Sequence, residues 1–142
     1  MKDIRDRKSI SIQKIFYDDY NNFFPENTEK NWLECPFNDF REIYLLSACI
    51  GAAKGAFKEI DSKKIKIFDS NVFNEHFDLP IIYTIAYCKE MNPQLLYDET
   101  YVLNIVEGFA NGGFPYLMDE LKTRQSSNLL NLATFINELI NQ

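Results

Sequence analysis

Five lysines fall close together in one stretch: Lys54, Lys58, Lys63, Lys64 and Lys66. Ammonium groups at this density can contact phosphate. They can also steer a protein onto an acidic partner surface and set its register there. The plain alternative is a solvated loop after a helix C-terminus, where lysine is favoured anyway. The N-terminal set Lys2, Arg5, Arg7 and Lys8 is open to the same readings. A second group, Glu107, Asn111, Gly112 and Gly113, clusters where a helical pattern meets Phe114 and Pro115. A local breach of the folding rules can mark a functional site. Tight packing or a helix stop is the simpler explanation.

Catalytic chemistry is poorly represented. His76 is the single histidine, and a nucleophilic pair with Cys88 has no flanking signature. Asp39 with Asp61-Ser62-Lys63 superficially resembles the carboxylate and Asp-x-Lys pattern of metal-dependent nucleases. That chemistry needs its carboxylates gathered around Mg²⁺. Here Asp39 falls at a helix start and the other residues in a loop, so solvated side chains are expected. Gly51-Ala-Ala-Lys-Gly-Ala-Phe-Lys58 lacks the Gly-Lys-Ser/Thr end of a phosphate loop. Cys35, Cys49 and Cys88 form no Cys-x-x-Cys pair, so neither a disulfide framework nor a zinc site is expected. Cys49 and Cys88 lie in apolar runs and read as small core residues. We expect no catalytic residue, no metal ligand and no cofactor. An enzyme reading would need a pocket gathering His76, Asp61 or Glu107.

The elements that must position these residues are mostly helical. Asn38 or Asp39 can cap a helix running to Lys54, with Gly55 near its end. The run Ile43–Ala53 is apolar on all sides, which marks a central helix. Gly51 and Gly55 read as a close-packing pair on it. Lys64-Ile65-Lys66-Ile67 alternates like a strand. Ser9–Tyr17 reads as a short helix or as a strand using Ile10 and Ile12. Trp32 and Leu33 are expected to pin the surface connection 21–36 to the core. A short helix is expected around Val72, Phe73 and Phe77, and another from Asp78 to Met91.

Val102, Ile105, Val106, Phe109, Ala110, Gly113, Phe114, Leu117 and Leu121 follow one helical face. That face crosses two glycines and a proline. Interior glycine costs roughly 1 kcal/mol against alanine and interior proline ~3 kcal/mol. The spacing therefore predicts a helix ending near Asn111, a sharp break, and a second helix opening at Pro115. Ser126 or Ser127 caps a last helix. The fold class expected is mainly α, a single domain over residues 1–142 with about six helices and room for one short strand pair. Residues 1–37 form its irregular N-terminal segment and 38–142 its helical core.

The chain has 142 residues, 46% hydrophobic and 25% charged, with net charge −6. Residues 54–66 are net +3 and residues 67–142 net −7. A free-standing nucleic-acid binder is usually basic overall, so only a local version of that function survives. No apolar run approaches the ~20 residues of a membrane helix, and no signal peptide is evident. A cytoplasmic protein without membrane contact is expected.

Three stretches carry a family resemblance. Phe40-Arg-Glu-Ile-Tyr-Leu-Leu-Ser-Ala-Cys-Ile-Gly-Ala-Ala-Lys-Gly55 resembles a motif Phe-x-x-x-x-x-Leu-x-Ala-x-x-Gly. Ile81-Ile-Tyr-Thr-Ile-Ala86 resembles the apolar helix after it, and Glu107-Gly-Phe-Ala-Asn-Gly-Gly113 a motif Glu-x-Tyr-Ala-Asn-Gly-Gly. Together they are similar to small helical accessory proteins found beside DNA phosphorothioation-dependent restriction (Dnd) systems. Where that motif has tyrosine, this chain has Phe109, so no hydroxyl is available there. The resemblance covers about residues 38–120. It implies a non-catalytic accessory or adaptor subunit of a bacterial anti-phage or restriction complex. Its partners would be larger nuclease or ATPase subunits, with DNA reached only indirectly. The second expectation is a small nucleic-acid-binding module using Lys54–Lys66. Phe16, Tyr17, Tyr20, Phe23 and Phe24 would serve as interface anchors if exposed.

Overall fold

Ile10 and Ile12 alternate with Ser9, Ser11 and Gln13, and this stretch forms a strand, β1 (Ser9–Gln13). The architecture comes from a computed structural model that describes residues 3–6, 8–25 and 29–141. β1 pairs antiparallel with β2 (Lys64–Asp69) in a two-stranded sheet. Ile12 lies opposite Ile65 and Gln13 opposite Lys64, with an irregularity between Ile10 and Ser11. A 3-10 turn (Lys14–Phe16) and α1 (Tyr17–Asn22) follow β1. The N-terminal segment, expected to be irregular, thus holds a strand and a helix.

α2 (Phe40–Lys54) begins and ends where its chemistry dictates. Asp39 accepts the Glu42 N–H at 3.1 Å, and Glu42 in turn accepts the Asn38 N–H at 2.6 Å. Gly55 closes the helix at φ 65°, a left-handed conformation suited to glycine. The Ala56 N–H then caps the Gly51 carbonyl at 2.8 Å. α3 (Asp78–Glu90), α4 (Glu99–Thr123) and α5 (Asn128–Ile140) complete the described helices. The most extensive contact is α2 against α4.

Five α-helices are present among the described residues, rather than about six. The difference lies at residues 112–115. The helix expected to break there runs straight through as α4, with Pro115 inside it. Proline and the glycines cost about 5 kcal/mol together in helix propensity. Continuity keeps Phe114, Leu117 and Leu121 on the buried stripe, at about 2 kcal/mol each. Pro115 is on the exposed face. The glycines are also the residues that let α2 approach.

Several local expectations are corrected. The stretch around Phe73 holds only a 3-10 turn (Ser70–Val72), and Phe77 is exposed. Trp32 and Leu33 are each 52% exposed. The connection is held instead by buried Cys35 and Phe37, and by the Leu33 carbonyl, which accepts the Leu129 N–H at 2.8 Å. Residues 26–28 of it lie outside the described residues. Cys88 is exposed, not core, because its face of α3 is turned outward; Cys49 is half-buried. The aromatics in and beside α1 pack inward. Tyr20 packs at a tilt on Phe114 with ring centroids 4.7 Å apart, and Phe23 edge-on against Phe37 at 5.2 Å. Tyr20 and Phe23 are therefore core, and Phe16, Tyr17 and Phe24 are half-buried against it rather than exposed anchors.

Candidate functional site

Gly51, Gly112 and Gly113 form the crossing of α2 and α4. A Cβ on Gly113 would lie 1.9 Å from the Ser47 carbonyl oxygen. One on Gly51 would meet the Phe109 oxygen at 2.1 Å, and one on Gly112 the Ala56 oxygen at 1.9 Å. Backbone therefore sits against backbone. Phe109, at the position of the motif's tyrosine, packs edge-on against Phe57 at 5.2 Å. Gly108 makes room for the same Phe57 ring.

This crossing also seats the basic loop. The Lys58 N–H donates to the Gly108 carbonyl at 3.0 Å. Asn111, only 4% exposed, donates from Nδ2 to the Lys58 carbonyl at 2.9 Å and to that of Glu59 at 3.4 Å. At its far end the loop is tied to β1. Gln13 donates to Asp61 at 2.6 Å and to the Lys63 carbonyl at 2.8 Å, and accepts the Asp61 N–H at 3.0 Å. The Lys14 N–H donates to the Lys63 carbonyl at 2.9 Å. The loop is held at both ends by protein partners.

Glu107 is half-buried beneath β1. Burial raises its carboxyl above the ordinary range, and the Lys64 charge and the Ser11 amide facing it pull the other way. Tyr44 is fully buried nearby, and burial followed by the Glu107 charge pushes its hydroxyl well up. Asp61 is held below the usual carboxylate range, first by its Gln13 hydrogen bond and then by the Lys63 amide.

The lysines separate into groups. Lys58, Lys63 and Lys64 line an open cleft of about 730 Å³ together with Lys14, Gln13, Ile15, Asp61 and Ser62. Ile15 is 79% exposed. Lys54 sits at the end of α2, over the Tyr116 ring at 5.9 Å. Lys66 pairs with Asp69 at 2.7 Å. Gly55 is the α2 cap and meets nothing within 4 Å. Of the N-terminal set, Arg5 pairs with Asp3 at 2.7 Å and Lys8 with Glu99 at 3.6 Å. Lys2 and Arg7 lie outside the described residues.

The enzyme-like combinations are not assembled. His76 precedes α3 and Cys88 lies near its end, and ten residues of helix separate them by about 15 Å. Asp39 caps α2 and lines a different cavity from Asp61. His76, Asp61 and Glu107 share no cavity among those found. Among the described residues no three His, Cys, Asp or Glu side chains gather as metal ligands.

Gln13, Lys14 and Ile15 are functional candidates that the sequence reading missed. The exposed Ile15 beside Lys14 was the available signal; the Gln13–Asp61 tie, spanning 48 residues, leaves no local pattern.

A family model described as DNA sulphur modification system-associated protein 4 matches residues 18–141. The chain belongs to that family. No curated protein and no solved structure matches it. In this member of the DNA sulphur modification system-associated proteins, the matched region runs from α1 to α5. It contains the helix crossing and the whole basic loop. The link to a DNA sulphur modification system agrees with the Dnd resemblance of the three motifs. Among the described residues no helix is long and apolar enough to cross a membrane.

Proposed function

We propose that this protein is a non-catalytic accessory subunit of a DNA sulphur modification and restriction machinery. It acts by docking onto a larger nuclease or ATPase component in the bacterial cytoplasm. The observation that supports this most is the lysine cleft itself. Lys14, Lys58, Lys63 and Lys64 line one cleft with an exposed isoleucine, on a chain whose net charge is −6. Apolar and charged side chains presented together are ordinary components of a protein interface. Anchoring by Asn111 and Gln13 reduces the ordering cost of binding.

Phosphate contact by the same lysines is the competing reading. The exposed apolar side chain of Ile15 in the same cleft fits a protein surface better than a phosphate backbone. Native mass spectrometry of the tagged protein, expressed together with the other components of its modification system, tests the proposal. A complex of fixed stoichiometry supports it. A lone chain in that mixture, with duplex DNA binding that falls steeply with salt, removes it.

A further inference from the structure

The two-stranded sheet has two outer edges, and only one of them is covered. Residues opposite each other in an antiparallel ladder alternate between pairs that exchange hydrogen bonds and pairs whose backbone groups point outward. Lys14 and Lys63 are hydrogen-bonded. Counting along the register from them makes Ile12–Ile65 a bonded pair. Gln13–Lys64 and Ser11–Lys66 are then outward pairs. The outer edge of β1 is covered: α4 packs against β1, and Ser11 and Gln13 are buried. The N–H and C=O groups of Lys64 and Lys66 point off the outer edge of β2. Among the described residues no group outside β1 is hydrogen-bonded to them.

β2 also lines two cavities. Lys64 lines the lysine cleft. Ile67 and Phe68 wall a second groove of about 420 Å³, shared with Phe24, Phe40 and Val72 and mostly apolar. At ~3.3 Å per residue β2 spans about 20 Å, so a strand laid along it passes from one cavity to the other. From this we infer that the outer edge of β2 accepts an extended acidic segment of a partner protein as a third strand. The acidic part faces Lys64 and the lysine cleft, and an apolar side chain enters the groove at Ile67 and Phe68.

Charge selects the occupant. A second copy paired antiparallel about Ile65 would set Lys64 against Lys66, and a parallel copy would set each lysine against itself; both are unfavourable. Edge lysines and a ladder irregularity are ordinary protections against indiscriminate strand pairing. They leave an acidic strand as the admitted guest, and strand addition is an established mode of peptide recognition. The inference rests on the docking reading above and names the surface that reading would use.

The test uses the full isotope-labelled chain and a displayed library of random peptides of about ten residues, long enough for one strand. In the free protein the Ile65 amide exchanges slowly, and those of Lys64 and Lys66 exchange fast. Enriched peptides are expected to be acidic at one end. Adding the best of them should slow exchange at Lys64 and Lys66 by at least about tenfold. The variant K64E/K66E should lose that binding, with Lys66→Gln as a milder control that keeps the fold. Enrichment of non-acidic peptides, no enrichment, or binding that leaves both amides fast overturns the inference. If a system component co-purifies but both amides stay fast in that complex, the strand is wrong and the docking reading stands.

Discussion

Asn111 reaches across 53 residues of sequence to hold the Lys58 carbonyl at 2.9 Å. That one side chain couples the α2–α4 crossing to the basic loop. Asn111→Ala removes the buried donor that the Lys58 and Glu59 carbonyls share, at a cost of about 1 kcal/mol. Asn111→Asp should cost at least as much, since a carboxylate offers no proton to Lys58 and Glu59. Urea unfolding of the two variants checks this. Stability equal to wild type in both would separate the motif from the loop.

Gly113→Ala should destabilise by about 2 kcal/mol. Alanine gains up to about 1 kcal/mol in helix propensity. Its Cβ, however, would lie 1.9 Å from the Ser47 oxygen and 2.5 Å from the Gly51 nitrogen. Both are backbone atoms of α2, so the helices must part. Gly55→Ala meets no atom and loses only the left-handed preference at φ 65°, about 1 kcal/mol. Thermal unfolding of the pair should rank Gly113→Ala as the worse.

Pro115→Ala should stabilise the protein by about 1–3 kcal/mol. Proline withholds an N–H from α4 and crowds the carbonyl one turn earlier, while its ring is exposed and fills no core. A denaturation midpoint that rises confirms that α4 carries its proline at a net cost. A midpoint that falls would mean that proline shapes the helix for packing.

Glu107 gives a pH signature. Its folded-state carboxyl titrates above the ordinary value of 4.5, chiefly because of burial. Protonation is therefore favoured by folding. The stability this contributes is whole below pH 4.5 and is lost as pH rises through the higher folded value. Glu107→Gln removes that dependence. The variant should be more stable than wild type at neutral pH, with the difference vanishing in acid. A glutamine variant weaker at neutral pH would show that attraction to Lys64 outweighs burial.

Local signals in the sequence located most of the helices. Asp39 and Gly55 mark the ends of α2 because capping chemistry is local. Ser127 marks α5 for the same reason. The break expected at Gly112–Pro115 failed because propensity is a local cost, while the reason for the glycines is α2, more than fifty residues away. Ser9–Tyr17 stayed ambiguous because β1 exists only by pairing with β2. The lysines of the cleft were legible as a cluster, but not their division: Lys66 turns to Asp69 and Lys54 to Tyr116. Gln13 was invisible because its partner, Asp61, is brought to it only by the sheet.

The most direct measurement is co-purification of the other modification-system components with wild type and with a charge-reversed cleft. Lys58, Lys63 and Lys64 are exposed, so K58E/K63E/K64E should stay folded at a cost of about 1–2 kcal/mol, roughly 0.5 kcal/mol for each site. The expected result is a folded variant whose recovery of partner falls by about tenfold or more, with the remaining binding insensitive to salt. Undiminished recovery by that folded variant would contradict the lysine cleft as the docking surface.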